Sequence, residues 1–334
     1  MRLTTCVVFL PLIIGLQLAA SWTTDRFRLP SSSPLPHQQK NLFLLLSKSS
    51  AQGTIGEPPR LIVLIPAYNE EYRIESTLKC YQDFLLRTVS EDTNGACMFR
   101  EPEILVVDDG SLDATLQVVQ NFPASIPIRA VALEENSGKG AALARGIEHI
   151  VETSGRSSNA GGRDDTYILT QDADGSGDLI YLSGMLKKLN DLLSSDTKTT
   201  KEAAGQGLVV GNRIYDLFTS RGITRWGFQT CVRVITSDAL RVKDSQCGYK
   251  LMTLPTAEVL YKNLYLKGWA HDVEVLLRAS LLNIPIEETT IEWQDMDGSK
   301  ITETGVVKVS VRMLLDIIRL RWNYSVVKSW KLEN

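Results

Sequence analysis

The sequence predicts an α/β fold, a mostly parallel sheet with helices on both faces, preceded by an N-terminal apolar segment. Five short apolar runs recur between residues 61 and 211, and the first four are each followed by a stretch of helical character. The runs are continuous rather than alternating, as expected of strands buried on both faces. Strand–helix alternation of this kind builds a parallel sheet covered on two sides.

The elements follow in order. LIVLI (61–65) is the first strand, and Ile74, Leu78, Tyr81 and Leu85 form one stripe of the first helix. EILVV (103–107) is the second strand, followed by the helical DATLQVVQNF. IRAVAL (128–133) and GAALARGIEHIV are the third pair, and TYILT (166–170) and LIYLSGMLKKLNDLL the fourth. GLVVG (207–211) is the fifth strand. Beyond residue 212 the alternation stops. AHDVEVLLRASLL reads as a helix, IPIEETTIEW as a strand, and VVKVSVRMLLDIIRLRW as a long amphipathic helix with a basic face. The stretches 153–165 and 194–206 read as surface insertions.

The N-terminus carries the uncharged run CVVFLPLIIGLQLAA (6–20), shorter than the ~20 apolar residues of a typical spanning helix. Its shape fits a cleaved signal peptide or a retained anchor. We take 1–22 as signal-anchor or signal peptide and 23–59, rich in Pro and Ser, as a linker. Residues 60–212 and 213–334 then form the two halves of the folded domain. The net charge of −3 gives no general attraction to nucleic acid. Five dispersed cysteines make a poor disulfide framework, and three isolated histidines (37, 149, 271) make a poor zinc site.

In open α/β sheets ligands bind beyond the carboxyl ends of the strands. After the first strand comes PAYNEE (66–71), where Asn69 is placed to cap a helix. After the second comes DDGS (108–111) with Asp113, more acids than capping requires and suited to a ribose or a base N–H. After the third comes NSGKGAA (136–142). It fails the Walker A spacing at Leu133 and the dinucleotide spacing at Leu143, but a glycine turn opening a helix with Lys139 nearby still favours an anion. After the fourth comes QDADGSGD (171–178). An EF-hand fails there because its twelfth position is Ser183. Capping accounts for Asp178. Residues two apart in an extended segment point the same way, so Asp172 and Asp174 suit one hard divalent ion, Mg2+ or Mn2+, held jointly with a diphosphate.

Taken together, LIVLIPAYNEE, ILVVDDGSLDAT, NSGKGAALARG and DADG resemble the family 2 glycosyltransferases of GT-A fold. VVGNR, DSQCGYKLM, WAHDVEVLLRA and DGSK narrow the resemblance to the dolichyl-phosphate β-glucosyltransferases, over about residues 60 to 322. That resemblance implies transfer of glucose from UDP-glucose to dolichyl phosphate, with inversion, for protein N-glycosylation. It implies that Pro66, Tyr68, Glu70 and Asp109 contact uracil and ribose, with Asp108 beside them. Lys139 would lie near the nucleotide, and Asp172 and Asp174 would hold the metal. Arg213 and Lys300 would meet phosphate groups, and Gln246 and Glu274 would lie on the acceptor side. Asp272 would position the sugar or order Arg213 rather than act as a strong base. The family's reaction places a retained anchor in the endoplasmic reticulum membrane, with the body in the cytosol and the sequon at Asn323 unglycosylated. Arg221, Arg225, Arg233 and the basic C-terminal helix would face lipid or solvent. The rival readings are a dolichyl-phosphate mannosyltransferase and, in another class, a non-catalytic nucleotide-sugar or metal-binding module.

Overall fold

A computed structural model of the chain describes residues 58–90, 98–154, 165–194, 205–214, 220–236, 239–240, 242–293 and 303–324. The expected N-terminal anchor, almost all of the linker, most of the two insertions, Lys300 and Ser325 of the sequon lie outside the described residues. No helix among the described residues is long and apolar enough to cross a membrane.

Seven strands form one sheet in the order β3-β2-β1-β4-β6-β5-β7. They are β1 (Arg60–Ala67), β2 (Arg100–Asp108), β3 (Ile128–Ala132), β4 (Thr166–Thr170), β5 (Leu208–Arg213), β6 (Lys250–Thr253) and β7 (Ile286–Ile291). The helices are α1 (Ile74–Ser90), α2 (Thr115–Gln120), α3 (Lys139–Thr153), α4 (Leu182–Ser194), α5 (Ser220–Thr236), α6 (Leu254–Tyr261), α7 (His271–Leu281) and α8 (Glu303–Trp322). The mostly parallel sheet is as expected, and all five of the first predicted strands form. The strand missing from the sequence reading is β6, which runs antiparallel to both β4 and β5. It is only four residues long and opens on a charged residue, Lys250, so no apolar run announces it.

Side-chain alternation along β1 divides the core in two. Leu61, Val63 and Ile65 face Ile74, Leu78, Tyr81 and Leu85 of α1, with Met185 and Leu189 of α4. Ile62 and Leu64 face Leu143 and Ile147 of α3 and the helices of the second half. Full burial of each such side chain contributes about 1.5–3 kcal/mol. The close seat of α3 on the sheet requires Gly146, where a Cβ would lie 2.5 Å from Leu64 and 2.9 Å from Val107. That seat puts the N-terminus of α3 beside the carboxyl ends of β1, β2 and β4.

Candidate active site

The loops after β1 and β2 are stitched together by their own polar side chains. The Asn69 N–H donates to Ser111 Oγ at 2.8 Å, and Leu112 N–H donates to Asn69 Oδ1 at 2.7 Å. Glu70 N–H donates to Thr115 Oγ1, and Ala114 N–H to Glu71 Oε2. Asn69, expected as a cap, lies five residues ahead of α1; its side chain accepts from the neighbouring loop and its own φ is 52°. Glu70 forms a two-point ion pair with Arg73 at 2.6 and 2.7 Å. Tyr68 is half-buried and Pro66 closes β1 inside the sheet.

Asp108 and Asp109 are both buried. Asp108 accepts from the Ser111 hydroxyl and N–H, which holds the DDGS turn closed. Asp109 accepts from the N–H groups of Ser137 at 2.8 Å and Gly138 at 2.9 Å. Burial pushes the Asp109 carboxyl up, against the pull of those two donors. Asp109 thus occupies the two N–H groups just ahead of α3. Gly138, at φ 101°, makes this turn, and a Cβ on it would lie 2.6 Å from the Lys267 carbonyl oxygen.

The loop after β4 holds Asp172 and Asp174. Asp174 Oδ1 accepts from Ser176 N–H at 3.0 Å and from its hydroxyl at 2.6 Å, shaping the turn. Asp178 caps the short 3-10 turn at Leu179–Tyr181, as expected, accepting from Ile180 N–H at 3.0 Å. Asp172 Oδ1 accepts a hydrogen bond from Lys139 Nζ. Burial lowers the affinity of that ammonium for its proton, but Asp172, Asp272 and Asp174 outweigh it and the net shift is upward. Gly248 roofs the pair: a Cβ there would lie 2.9 Å from Asp172 Oδ1 and 3.2 Å from Lys139 Nζ.

β6 brings a second set of charges. Lys250, on β6, donates to Asp272 Oδ1 and to the Cys247 carbonyl. Asp272 opens α7, and His271 Nε2 lies 3.3 Å from the same carboxylate oxygen. Burial pushes the Asp272 carboxyl up, but His271, Lys250 and Lys139 together hold it down at about 2. Arg213, closing β5, forms a two-point pair with Asp244 at 2.6 and 3.0 Å, and its guanidinium stacks 5.2 Å from the Trp293 ring centroid. Burial works against the charge on both members of this pair. Their mutual attraction prevails, raising Arg213 and lowering Asp244.

Residues 62–195 match Glycosyl transferase family 2. A dolichyl-phosphate beta-glucosyltransferase from Dictyostelium discoideum is 33% identical over 82% of this chain and 77% of its own length. The chain belongs to the dolichyl-phosphate beta-glucosyltransferase family. The human member is 28% identical over 89% of this chain and 86% of its own. Glucosyl-3-phosphoglycerate synthase from Mycobacterium tuberculosis, solved with Mn2+, uridine diphosphate and glucosyl-3-phosphoglycerate, shares the fold. It aligns at a TM-score of 0.50, 17% identity, over 88% of this chain and 87% of that one.

For this glycosyltransferase the structure sorts the expected site residues. Lys139, Asp172, Arg213 and Asp272 belong to one charged neighbourhood, since Asp172 acts electrostatically on Lys139 and on Arg213, and Lys139 on Asp272. Asp272 does not order Arg213; Asp244 does, because α7 delivers Asp272 to Lys250 instead. Glu274, expected on the acceptor side, is fully enclosed. Its carboxylate accepts from Tyr265 N–H, Leu266 N–H, Arg278 and the Tyr324 hydroxyl, tying α7 to the end of α8. Gln246 is half-buried and donates its N–H to Asp244 at 3.1 Å. Sequence reasoning missed Asp244, Gly248, Lys250 and Trp269. All but Trp269 lie on or just before β6, the strand without an apolar run.

Proposed function

We propose that this enzyme transfers glucose from UDP-glucose to dolichyl phosphate with inversion, giving dolichyl β-D-glucosyl phosphate for protein N-glycosylation. The observation that carries the reading is the convergence of Asp172, Asp174, Lys139 and Arg213 beyond the strand ends, beside the stitched loops of β1 and β2. A diphosphate donor and a phosphate acceptor need such a mixture of cations and metal-binding carboxylates. The names of the relatives supply the acceptor and the sugar.

Asp172 and Asp174 would hold the Mg2+ or Mn2+. The fit is chemical and steric. Both offer hard carboxylate oxygens, and the space at Asp172 is one that a Cβ on residue 248 would fill. Among the described residues no three His, Cys, Asp or Glu cluster as a metal cage, which suits an ion that completes its shell with water and phosphate. When bound there, such an ion offsets charge developing on the departing UDP.

The chain's own groups would then act as follows. Pro66, Tyr68 and Glu70 border the uridine, while Asp108 and Asp109 hold the loops that receive it. Lys139 and Arg213 attract phosphate oxygens, with Arg213 oriented by Asp244; Lys300, outside the described residues, and Gln246 belong to the same acceptor side. A phosphate oxygen of the acceptor attacks the anomeric carbon as the bond to UDP breaks, and the electron pair leaves with UDP. That oxygen is already anionic, and an Asp272 carboxyl held at about 2 is a feeble base at neutral pH. Asp272 is therefore a positioning residue, acting through Lys250.

The lipid acceptor calls for a membrane surface, the cytosolic face of the endoplasmic reticulum. The outer face of α8 supports this, since Leu315 is 50% exposed, Ile318 45% and Trp322 63%, with exposed Arg312 and Arg319 beside them. Apolar and basic side chains on one exposed helix face suit anionic lipid. The test is an assay of the membrane-bound protein with UDP-glucose or GDP-mannose, dolichyl phosphate and Mn2+ or Mg2+, with the product anomer read by NMR. The expected result is a β-glucosyl lipid from UDP-glucose. Preference for GDP-mannose, an α-linked product or no transfer would overturn the reading.

A further inference from the structure

Asp172 already carries a cation of the protein's own. Lys139 Nζ sits on its Oδ1, and the two side chains are 14% and 24% exposed, withdrawn from water yet open to the cleft. The lysine is held in place from below. It is the first residue of α3, and a Cβ on Gly140 beside it would lie 2.6 Å from His271 Cβ. Its ammonium also lies 5.5 Å from the Trp269 ring centroid, a second attractive surface. The neighbouring acids have other partners: Asp272 is matched by Lys250 and Asp244 by Arg213.

We infer that Lys139 is a resident counter-ion that metal and nucleotide displace together. It balances Asp172 in the free enzyme and passes to the donor diphosphate on loading. This rests on the reading of Asp172 as a metal ligand given under Proposed function. The physics is an exchange of charge. A dication arriving alone at Asp172 must evict an ammonium that gains no new anion and is left facing the dication. Arriving with a diphosphate, it leaves the ammonium with phosphate oxygens to bind. Metal and nucleotide affinities are then reciprocally linked, and Lys139 is the link.

The experiment measures Mn2+ binding to the full chain by electron paramagnetic resonance of free Mn2+, with and without UDP. In the unaltered protein, saturating UDP is expected to tighten Mn2+ binding about tenfold or more. Lys139→Gln should tighten Mn2+ binding in the absence of UDP by about tenfold, and the further effect of UDP should shrink. Lys139→Arg, which keeps the charge, should resemble the unaltered protein. Asp172→Asn should weaken Mn2+ binding in every state. Mn2+ affinity indifferent to UDP in the unaltered protein overturns the inference, even if Lys139→Gln fails to fold. So does Lys139→Gln binding Mn2+ no more tightly, Lys139→Arg behaving like Lys139→Gln, or Asp172→Asn binding Mn2+ normally. Glucose transfer is scored separately. An enzyme that shows the exchange but transfers no glucose to dolichyl phosphate supports the inference and counts against the proposed function alone.

Discussion

Asp272→Asn tests the buried charge pair at the centre of the site. The side chains of Asp272 and Lys250 are 5% and 1% exposed, so the substitution leaves an ammonium buried against a neutral amide and the Cys247 carbonyl. Removing one partner of a buried pair destabilises by about 3–5 kcal/mol. The carboxyl itself gives a second figure. Its move from 3.8 to about 2 on folding corresponds to roughly 2 kcal/mol. Because folding depresses this pKa, the contribution is fully present above 3.8 and disappears as pH falls through about 2. Urea unfolding followed by tryptophan fluorescence should therefore show Asp272→Asn less stable by about 3 kcal/mol at neutral pH, with the deficit smaller near pH 3. The double variant Asp272→Asn/Lys250→Met should regain much of that loss, since no unpaired charge remains. A single variant within about 1 kcal/mol of the parent, or a double variant losing the sum of both singles, would refute the pairing argument.

Gly248→Ala should lower turnover more than tenfold (about 1.4 kcal/mol) while shifting the melting temperature little, because the new methyl meets Asp172 and Lys139 rather than core; an active variant would remove Gly248 from the site. Arg213→Lys should lose the two-point grip on Asp244 and the stack on Trp293, raising KM for the acceptor about tenfold. A KM unchanged from the parent would exclude Arg213 from phosphate binding. Glu274→Gln should destabilise by about 1–3 kcal/mol in thermal unfolding, with KM unchanged, since its four partners are structural. Replacing Leu315, Ile318 and Trp322 with Ser should reduce transfer to membrane-embedded acceptor while sparing a short, water-soluble polyprenyl phosphate; equal losses on both would count against a lipid-facing α8.

The strands were legible wherever burial wrote itself as an uninterrupted apolar run. LIVLI and TYILT are examples, and the α1 stripe of Ile74, Leu78, Tyr81 and Leu85 is buried throughout. β6 was not legible, because its leading residue is a lysine whose burial depends on an aspartate 22 positions later. Asp178 was read correctly as a cap because capping is local. The partners of Asp109 were not legible, since they are N–H groups 28 and 29 residues onward. Motif order pointed to the family; it could not say that Glu274, two residues from Asp272, is walled off from the cleft.

Periodicity along the chain therefore determined the strands other than β6, most of the helices and the chemical character of the loops that end them. Those properties depend on neighbours within a turn or a strand. Which charge faces which was decided by the fold. The sheet order sets β4 between β1 and β6, and so brings Asp172 between Lys139 and Gly248. The aspartate cluster after β4, a repulsive group in the linear chain, is balanced by a lysine 33 residues upstream of Asp172. Coulomb energy depends on distance in space, and only the packed sheet supplies those distances.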